Sequence, residues 1–281
     1  MQKKKEVTME KDGKGIYLYC LARPVSEWSA DIPGPDGDSG FLMHEHSGAA
    51  AAISRVPLEK YSGLSAEQPP EDLSWLLAEI IRHEKVIQKV MSCSPVIPVR
   101  FATIFSSMAK IEELLRINQE TINDFFNRTQ GMSEWAVKGI LDRTLAREAV
   151  HSALLEREKT RISSLPPGRQ HFEKKRIKLE ADSETREWIR QTLSSVCRDL
   201  QGHASGFAQR STLAQGRATE DEVIFNWAFL VSSDALDDFQ RQVSLSGDSC
   251  AGRGLTIEAS GPWPPYSFVP ALKSGTWDKQ P

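Results

Sequence analysis

Residues 16–21, Ile16-Tyr17-Leu18-Tyr19-Cys20-Leu21, form an unbroken apolar and aromatic run, the pattern of a central strand. The polar, aperiodic stretch 1–14 before it predicts a frayed arm, so order begins at Gly15. A Pro-, Gly- and Asp-rich segment at 32–40 carries turn chemistry and predicts a loop. Residues 41–45 and 50–56 flank Ser47-Gly48, which predicts a hairpin of two strands. Pro69-Pro70-Glu71-Asp72 then opens a helix whose inward positions are Leu73, Leu76, Ile80, His83, Ile87 and Val90, spaced by three and four residues. Residues 95–102 are apolar but punctuated by two prolines, which suits an edge strand. Met108, Ile111, Leu115, Ile122 and Phe125 mark a second amphipathic helix, stopped near Gly131. The first half is α+β.

The second half predicts a strand at 134–141, a long charged helical region at 142–200, strands at 205–212 and 222–231, a helix at 234–245 and a strand at 254–259. That order is βαββαβ, the ferredoxin-like arrangement. Leu165-Pro166-Pro167-Gly168 interrupts the helical region, so it divides into two helices that project beyond the sheet. The later helix gathers Ile189, Leu193, Val196 and Leu200 on one face, while Glu173-Lys174-Lys175-Arg176 reads as a solvated turn. After the last strand, Gly261-Pro262-Trp263-Pro264-Pro265-Tyr266-Ser267-Phe268 crowds three prolines and three aromatics together. Proline excludes helix interior and central strand, and the aromatics argue against a solvated tail; a stiff strap packed on another surface is expected. The expected organisation is an arm at 1–14, an α+β domain at 15–131, a ferredoxin-like domain at 132–272 that includes the strap at 261–270, and a flexible tail at 273–281.

A chain of 281 residues fits one large or two medium domains, and two are expected. Its net charge of -3 provides no basic field, which argues against a nucleic-acid partner. No apolar run is long enough to span a lipid membrane and no signal-peptide core follows Lys3-Lys4-Lys5, so cytoplasmic residence is the expectation. Cys20, Cys93, Cys197 and Cys250 lack metal-type spacing and are expected to be buried free thiols, with no metal or cofactor.

Few side chains offer chemistry. His44-Glu45-His46 places two imidazoles on one face of a strand, but nothing in sequence completes a metal shell, and solvated imidazoles at a hairpin are expected. His83 with Glu84 invites a general-base reading; neighbouring helical residues point apart, so a buried, hydrogen-bonded structural histidine is preferred. Arg100 lies in an apolar stretch and needs a carboxylate if its head is buried. Gly252-Arg253-Gly254 has no following helix and reads as a strand-entry turn rather than a phosphate cradle. Trp263, Tyr266 and Phe268 are expected to anchor the strap within the chain, leaving an edge of the strap available to a partner.

Several of these segments carry a resemblance. Ile16-Tyr17-Leu18-Tyr19, Arg82-His83-Glu84, the stretch from Pro95 to Thr103, Glu134-Trp135-Ala136-Val137-Lys138, Ala228-Phe229-Leu230-Val231 and the closing Gly-Pro-Trp-Pro-Pro-Tyr-Ser-Phe resemble, in this order, the gas vesicle protein F/L family (GvpF/GvpL). One departure is Arg-Phe-Ala-Thr at 100–103, where the family usually has Arg-Phe-Gly-Thr, which puts the local turn geometry in question. The resemblance implies a cytoplasmic, vesicle-associated accessory protein with an α+β N-terminal domain and a modified ferredoxin-like C-terminal domain, contacting the small hydrophobic shell protein and other accessory proteins without catalysis. In that setting His83, Glu84, Arg100, Trp135, Trp263, Tyr266 and Phe268 are the structural or partner-binding candidates, with Glu84 as the partner expected for Arg100. Two alternatives stay open: a small-molecule enzyme or sensor using His83, Glu84 and Arg100, and an interaction module unconnected with vesicles.

Overall fold

A computed structural model describes residues 13–26, 28, 40–61, 73–212 and 221–273. The arm before residue 13, most of the 32–40 loop, the Pro69–Asp72 helix start and the tail beyond 273 lie outside the described residues. The fold is mixed α+β with two sheets. Its described residues divide into two compact units, one running to Met132 and resuming at Pro264, the other Ser133–Trp263. The sequence-based division attached the whole strap to the second half, whereas the packing of Tyr266 and Phe268 described below joins it from Pro264 onward to the first unit.

In the first unit β1 (Lys14–Ala22), β2 (Leu42–His46), β3 (Ala49–Pro57), β4 (Val96–Pro98) and the two-residue β5 (Ile104–Phe105) form a sheet of order β2-β3-β1-β4, with β5 also on β1. β1 is buried from Gly15 to Ala22 because antiparallel partners line it and helices cover both faces. Ser47 and Gly48 take positive φ, 50° and 77°, which is the turn that a two-residue hairpin demands. α1 (Leu73–Met91) packs Val86, Ile87 and Val90 with Tyr17, Tyr19 and Cys20 on one face. On the other face Ile111, Leu115, Ile122, Phe125 and Phe126 close over Leu18 and Leu21. Full burial of each such side chain is worth about 1.5–3 kcal/mol.

Two expectations need correction here. The second helix is a pair, α2 (Met108–Ile117) and α3 (Gln119–Thr129), broken at Asn118. The Asn118 amide explains the break: Nδ2 donates to the Leu114 and Lys273 carbonyls, and Oδ1 accepts from Lys273 N–H. The inward face of α1 is also rotated from the expected one, with Leu73 exposed and Glu79 buried.

The second unit contains β6 (Met132–Asp142), α4 (Arg143–Ser163), α5 (Pro167–Gln201), β7 (Gly206–Gln209), β8 (Asp221–Ser232), α6 (Leu236–Ala251) and β9 (Leu255–Trp263). The sheet order is β7-β8-β6-β9, with β7–β8 and β6–β9 antiparallel. Val137, Phe225, Trp227, Phe229 and Val231 pack under Val196 and Leu200 of α5 and Phe239 and Val243 of α6. A Cβ at Gly139 would lie 2.0 Å from Phe225 Cε1, so any larger residue there displaces that ring. Gly254, at φ +70°, gives β9 its entry turn as expected. β9 runs past the predicted end at 259 to Trp263, which is opposite Glu134, so the first part of the strap is strand. Its proline is tolerated because β9 is an edge of the sheet. Of the cysteines, Cys20 and Cys250 are buried, but Cys93 is exposed and Cys197 half-buried, contrary to the expectation of four buried thiols.

Candidate functional site

A group of buried polar side chains in the first unit sits where β1, α1 and the 99–103 turn meet. Tyr17 Oη donates to His83 Nδ1 at 2.9 Å and accepts from Ala102 N–H at 3.0 Å. His83 Nε2 faces the Val99 carbonyl at 3.2 Å. A carbonyl only accepts, so the imidazole proton is on Nε2 and the Nδ1 lone pair is free to take the Tyr17 hydroxyl. Both ring nitrogens are thereby occupied. Burial holds the imidazole neutral, lowering its pKa from 6.5 to about 4, with the Val99 contact opposing only in part. Burial likewise pushes the Tyr17 hydroxyl above its ordinary value. Rings of Tyr19, Tyr61 and Phe101 surround Tyr17 at centroid distances of 4.7, 5.6 and 6.3 Å.

The turn beside this group contains the departure Arg100-Phe101-Ala102-Thr103. Ala102 adopts φ +60°, the left-handed conformation that a glycine takes without penalty. The backbone is held there by Leu18 N–H to the Thr103 carbonyl at 2.9 Å and by Thr103 Oγ1 to the Arg100 carbonyl at 2.6 Å. The turn geometry is thus kept with alanine in place.

Glu84 and Arg100 do not meet. Glu84 Oε1 accepts the Tyr266 hydroxyl at 2.6 Å, whereas Arg100 is exposed and forms no ion pair with Glu84 among the described residues. An exposed guanidinium needs no internal partner, which removes the reason for the expected pairing. Burial, then the Glu84 contact, raises the Tyr266 pKa. Tyr266 packs on the Tyr17, Tyr19 and Cys20 side of the sheet, and Phe268 with Val269 and Leu272 packs on the opposite cluster. Trp263 differs from both, being 37% exposed and bonded through Nε1 to Ser260 Oγ at 3.2 Å. Trp135, on β6, is buried under the second unit's helices.

Glu79 is the polar residue that periodicity missed. It is buried, accepting from Tyr61 Oη at 3.1 Å and from Arg82 at 2.7 Å. Glu134 is the equivalent surprise in the second unit, fully buried and paired with Arg210. His44 bonds Glu112 at 3.1 Å near the surface, and among the described residues no cluster of His, Cys, Asp and Glu could hold a metal ion. An open cleft of about 650 Å³ in the second unit is lined by Leu193, Cys197, Arg198, Arg210, Asn226 and Trp227 among others. None of His83, Glu84 and Arg100 lines it.

The surface feature that stands out on the first unit is the outward side of α1. Leu73, Leu77 and Ile81 follow one another at four-residue steps and are 59%, 52% and 54% exposed. The same helix therefore has one apolar face in the core and a second facing water. No helix among the described residues is long and apolar enough to cross a membrane.

Comparison with known proteins agrees with the resemblance. The chain is 25% identical over 264 residues to gas vesicle protein L of Streptomyces sp. (strain CB03234), covering 90% of this chain and 92% of that protein. It is 22% identical over 274 residues to gas vesicle protein L1 of Halobacterium salinarum, covering 92% and 91%. In fold it is similar to the crystal structure of GvpF from Microcystis aeruginosa, with a TM-score of 0.63 at 18% identity over 92% of this chain and 99% of that one. A TM-score of 0.65 at 19% identity relates it to GvpF from Anabaena sp. PCC7120, over 92% and 100% of the two chains. The model of the family described as gas vesicle synthesis protein GvpL/GvpF matches residues 15–270, so the chain belongs to that family.

Proposed function

We propose that this gas vesicle family protein is a noncatalytic assembly or minor structural component of the vesicle that binds the small hydrophobic shell protein, alone or with other accessory proteins. The observation that carries this reading is the outward apolar row Leu73, Leu77 and Ile81 on α1. Shell subunits that self-associate through apolar surface need a helper whose own apolar strip covers that surface for a time. About half of each side chain remains to be buried, which is worth roughly 1 kcal/mol apiece before the cost of association, a scale suited to reversible contact. The protein then works in the cytoplasm and at the vesicle.

The noncatalytic part of the proposal is supported by the state of the candidate side chains. His83 has both nitrogens engaged and is held neutral, Glu84 is bonded to Tyr266, and Arg100 points to solvent. The groups the enzyme reading needs around one pocket are thus spent on internal contacts or apart. The strand order β7-β8-β6-β9, with the α4–α5 hairpin between β6 and β7, supports the reading of this unit as a modified ferredoxin-like domain.

Pull-down of shell protein by the full chain, with Leu77→Asp/Ile81→Asp alongside, tests this proposal. The parent is expected to retain shell protein and the variant to lose it while melting like the parent. Retention by both, or by neither under conditions that support vesicle formation, contradicts the proposed contact.

A further inference from the structure

The hairpin of α4 and α5 closes on itself. Val150, Leu154, Ile162, Ile177 and Ala181 form its seam, and Arg147–Asp182 and Arg161–Glu173 bridge the two helices. Phe172 and Leu179 take no part in that seam and are 73% and 67% exposed. Seven residues apart on α5, they share one face with about 10 Å between them. A helix this charged gains nothing in folding from an exposed phenylalanine there.

The charges around them are unevenly used. Glu173 is taken by Arg161 and Arg176, Glu180 by Arg176 and Glu187 by Arg190. Arg169, Lys175 and Arg186 form no ion pair among the described residues and are exposed. At 100° per residue Lys175 and Arg186 fall about 50° and 30° to one side of the line through Phe172 and Leu179, and Arg169 about 70° to the other. The run at Lys174-Lys175-Arg176 is solvated as expected, but its charges are used differently. Arg176 is neutralised at home, and Lys175 is left to face outward.

We propose that this face of α5 docks an acidic amphipathic helix of a partner protein, its apolar row meeting Phe172 and Leu179 and its carboxylates meeting Arg169, Lys175 and Arg186. The match is one of width and sign. An apolar strip one side chain wide, bracketed by unpaired cations, fits a helix with a narrow apolar row and acidic flanks. A second copy of this chain would bring the same cations against themselves. An anionic bilayer asks for a broad apolar face, which two residues do not supply. Nucleic acid would leave Leu179 without a purpose. This surface is on the second unit's hairpin, so the proposal stands or falls independently of the shell-protein contact on α1.

The test uses the full chain and a labelled 21-residue helical peptide with leucines at three- and four-residue steps and glutamates on both flanks. Its lysine-for-glutamate counterpart, vesicles of neutral and anionic phospholipid and a single-stranded RNA serve as competitors. The acidic peptide is expected to bind, with affinity falling as salt rises. Phe172→Ser/Leu179→Ser and Arg169→Glu/Lys175→Glu are each expected to weaken it at least about tenfold, with melting unchanged because all four side chains are exposed. Failure of the acidic peptide to bind, equal binding of the lysine peptide, unaltered binding by both variants, or stronger binding of the anionic vesicles or RNA would each overturn the proposal.

Discussion

Tyr266 Oη donates a 2.6 Å hydrogen bond to Glu84 Oε1, joining residues 182 positions apart in the sequence. The bond fixes the strap on the face of the first sheet that α1 covers, beside the Tyr17–His83 group. A hydrogen bond to an ionised acceptor contributes about 1.5–3 kcal/mol. Tyr266→Phe keeps the ring in place and removes the donor, so a loss of about 2 kcal/mol is expected in urea unfolding. Glu84→Gln, which can still accept, is expected to cost less. Equal stability of Tyr266→Phe and the parent would show that ring packing alone holds the strap.

His83 predicts a pH dependence. Its folded pKa is lowered to about 4 from 6.5 by burial, so the unfolded chain takes up a proton that the folded chain refuses. The contribution is fully present above pH 6.5, is lost progressively as pH falls toward 4, and then stays constant. A shift of this size corresponds to on the order of 3 kcal/mol. His83→Gln is expected to be less stable at neutral pH but to lack this component of the slope. Parallel stability-versus-pH curves for the two proteins would contradict the neutral buried imidazole.

Ala102 at φ +60° gives a stabilising prediction. Relief of the left-handed penalty, about 1–2 kcal/mol, exceeds the roughly 0.4–1 kcal/mol that glycine adds to the entropy of the unfolded chain. Ala102→Gly is therefore expected to raise stability by roughly 0.5–1 kcal/mol and to leave Tyr17 and His83 bonded as before. An unchanged or lowered melting temperature would argue against strain at this turn.

Gly139 tests the packing of the second sheet. A Cβ there would overlap the Phe225 ring, which is stacked on Trp227 at a centroid distance of 3.8 Å. Displacing a stacked, buried ring in a full core costs about 1–3 kcal/mol. Gly139→Ala is expected to show that loss together with a changed near-ultraviolet circular dichroism signal from Trp227. Tolerance of the methyl group without either change would mean that Phe225 repacks freely.

The parts of the fold that were legible in sequence are those fixed by local chemistry. Ser47-Gly48 announces its hairpin because the turn needs positive φ, and Pro166-Pro167 separates α4 from α5 because proline cannot continue the first of them. What was missed depends on residues far along the chain. Asn118 divides α2 from α3, and the backbone it bonds belongs to Lys273. Glu79 is buried where Tyr61, from outside the helix, donates to it, and Leu73 faces out. The prolines of the strap correctly excluded a central strand, but the edge pairing that carries β9 to Trp263 has no local signal. Among the candidate residues, His83 was legible as a buried, hydrogen-bonded histidine, while the partner of Glu84 was assigned to Arg100 because charge pairing is easier to see in sequence than a tyrosine at the far end of the chain.

The central claim is that the outward row of α1 touches the shell protein while vesicles form. Replacing Leu77 by a photoreactive amino acid in the full chain, irradiating cells during vesicle assembly and mapping the crosslinked peptides measures this directly. Crosslinks from position 77 to shell-protein peptides are the predicted result. Vesicles that form normally while position 77 yields no shell-protein crosslink would contradict it.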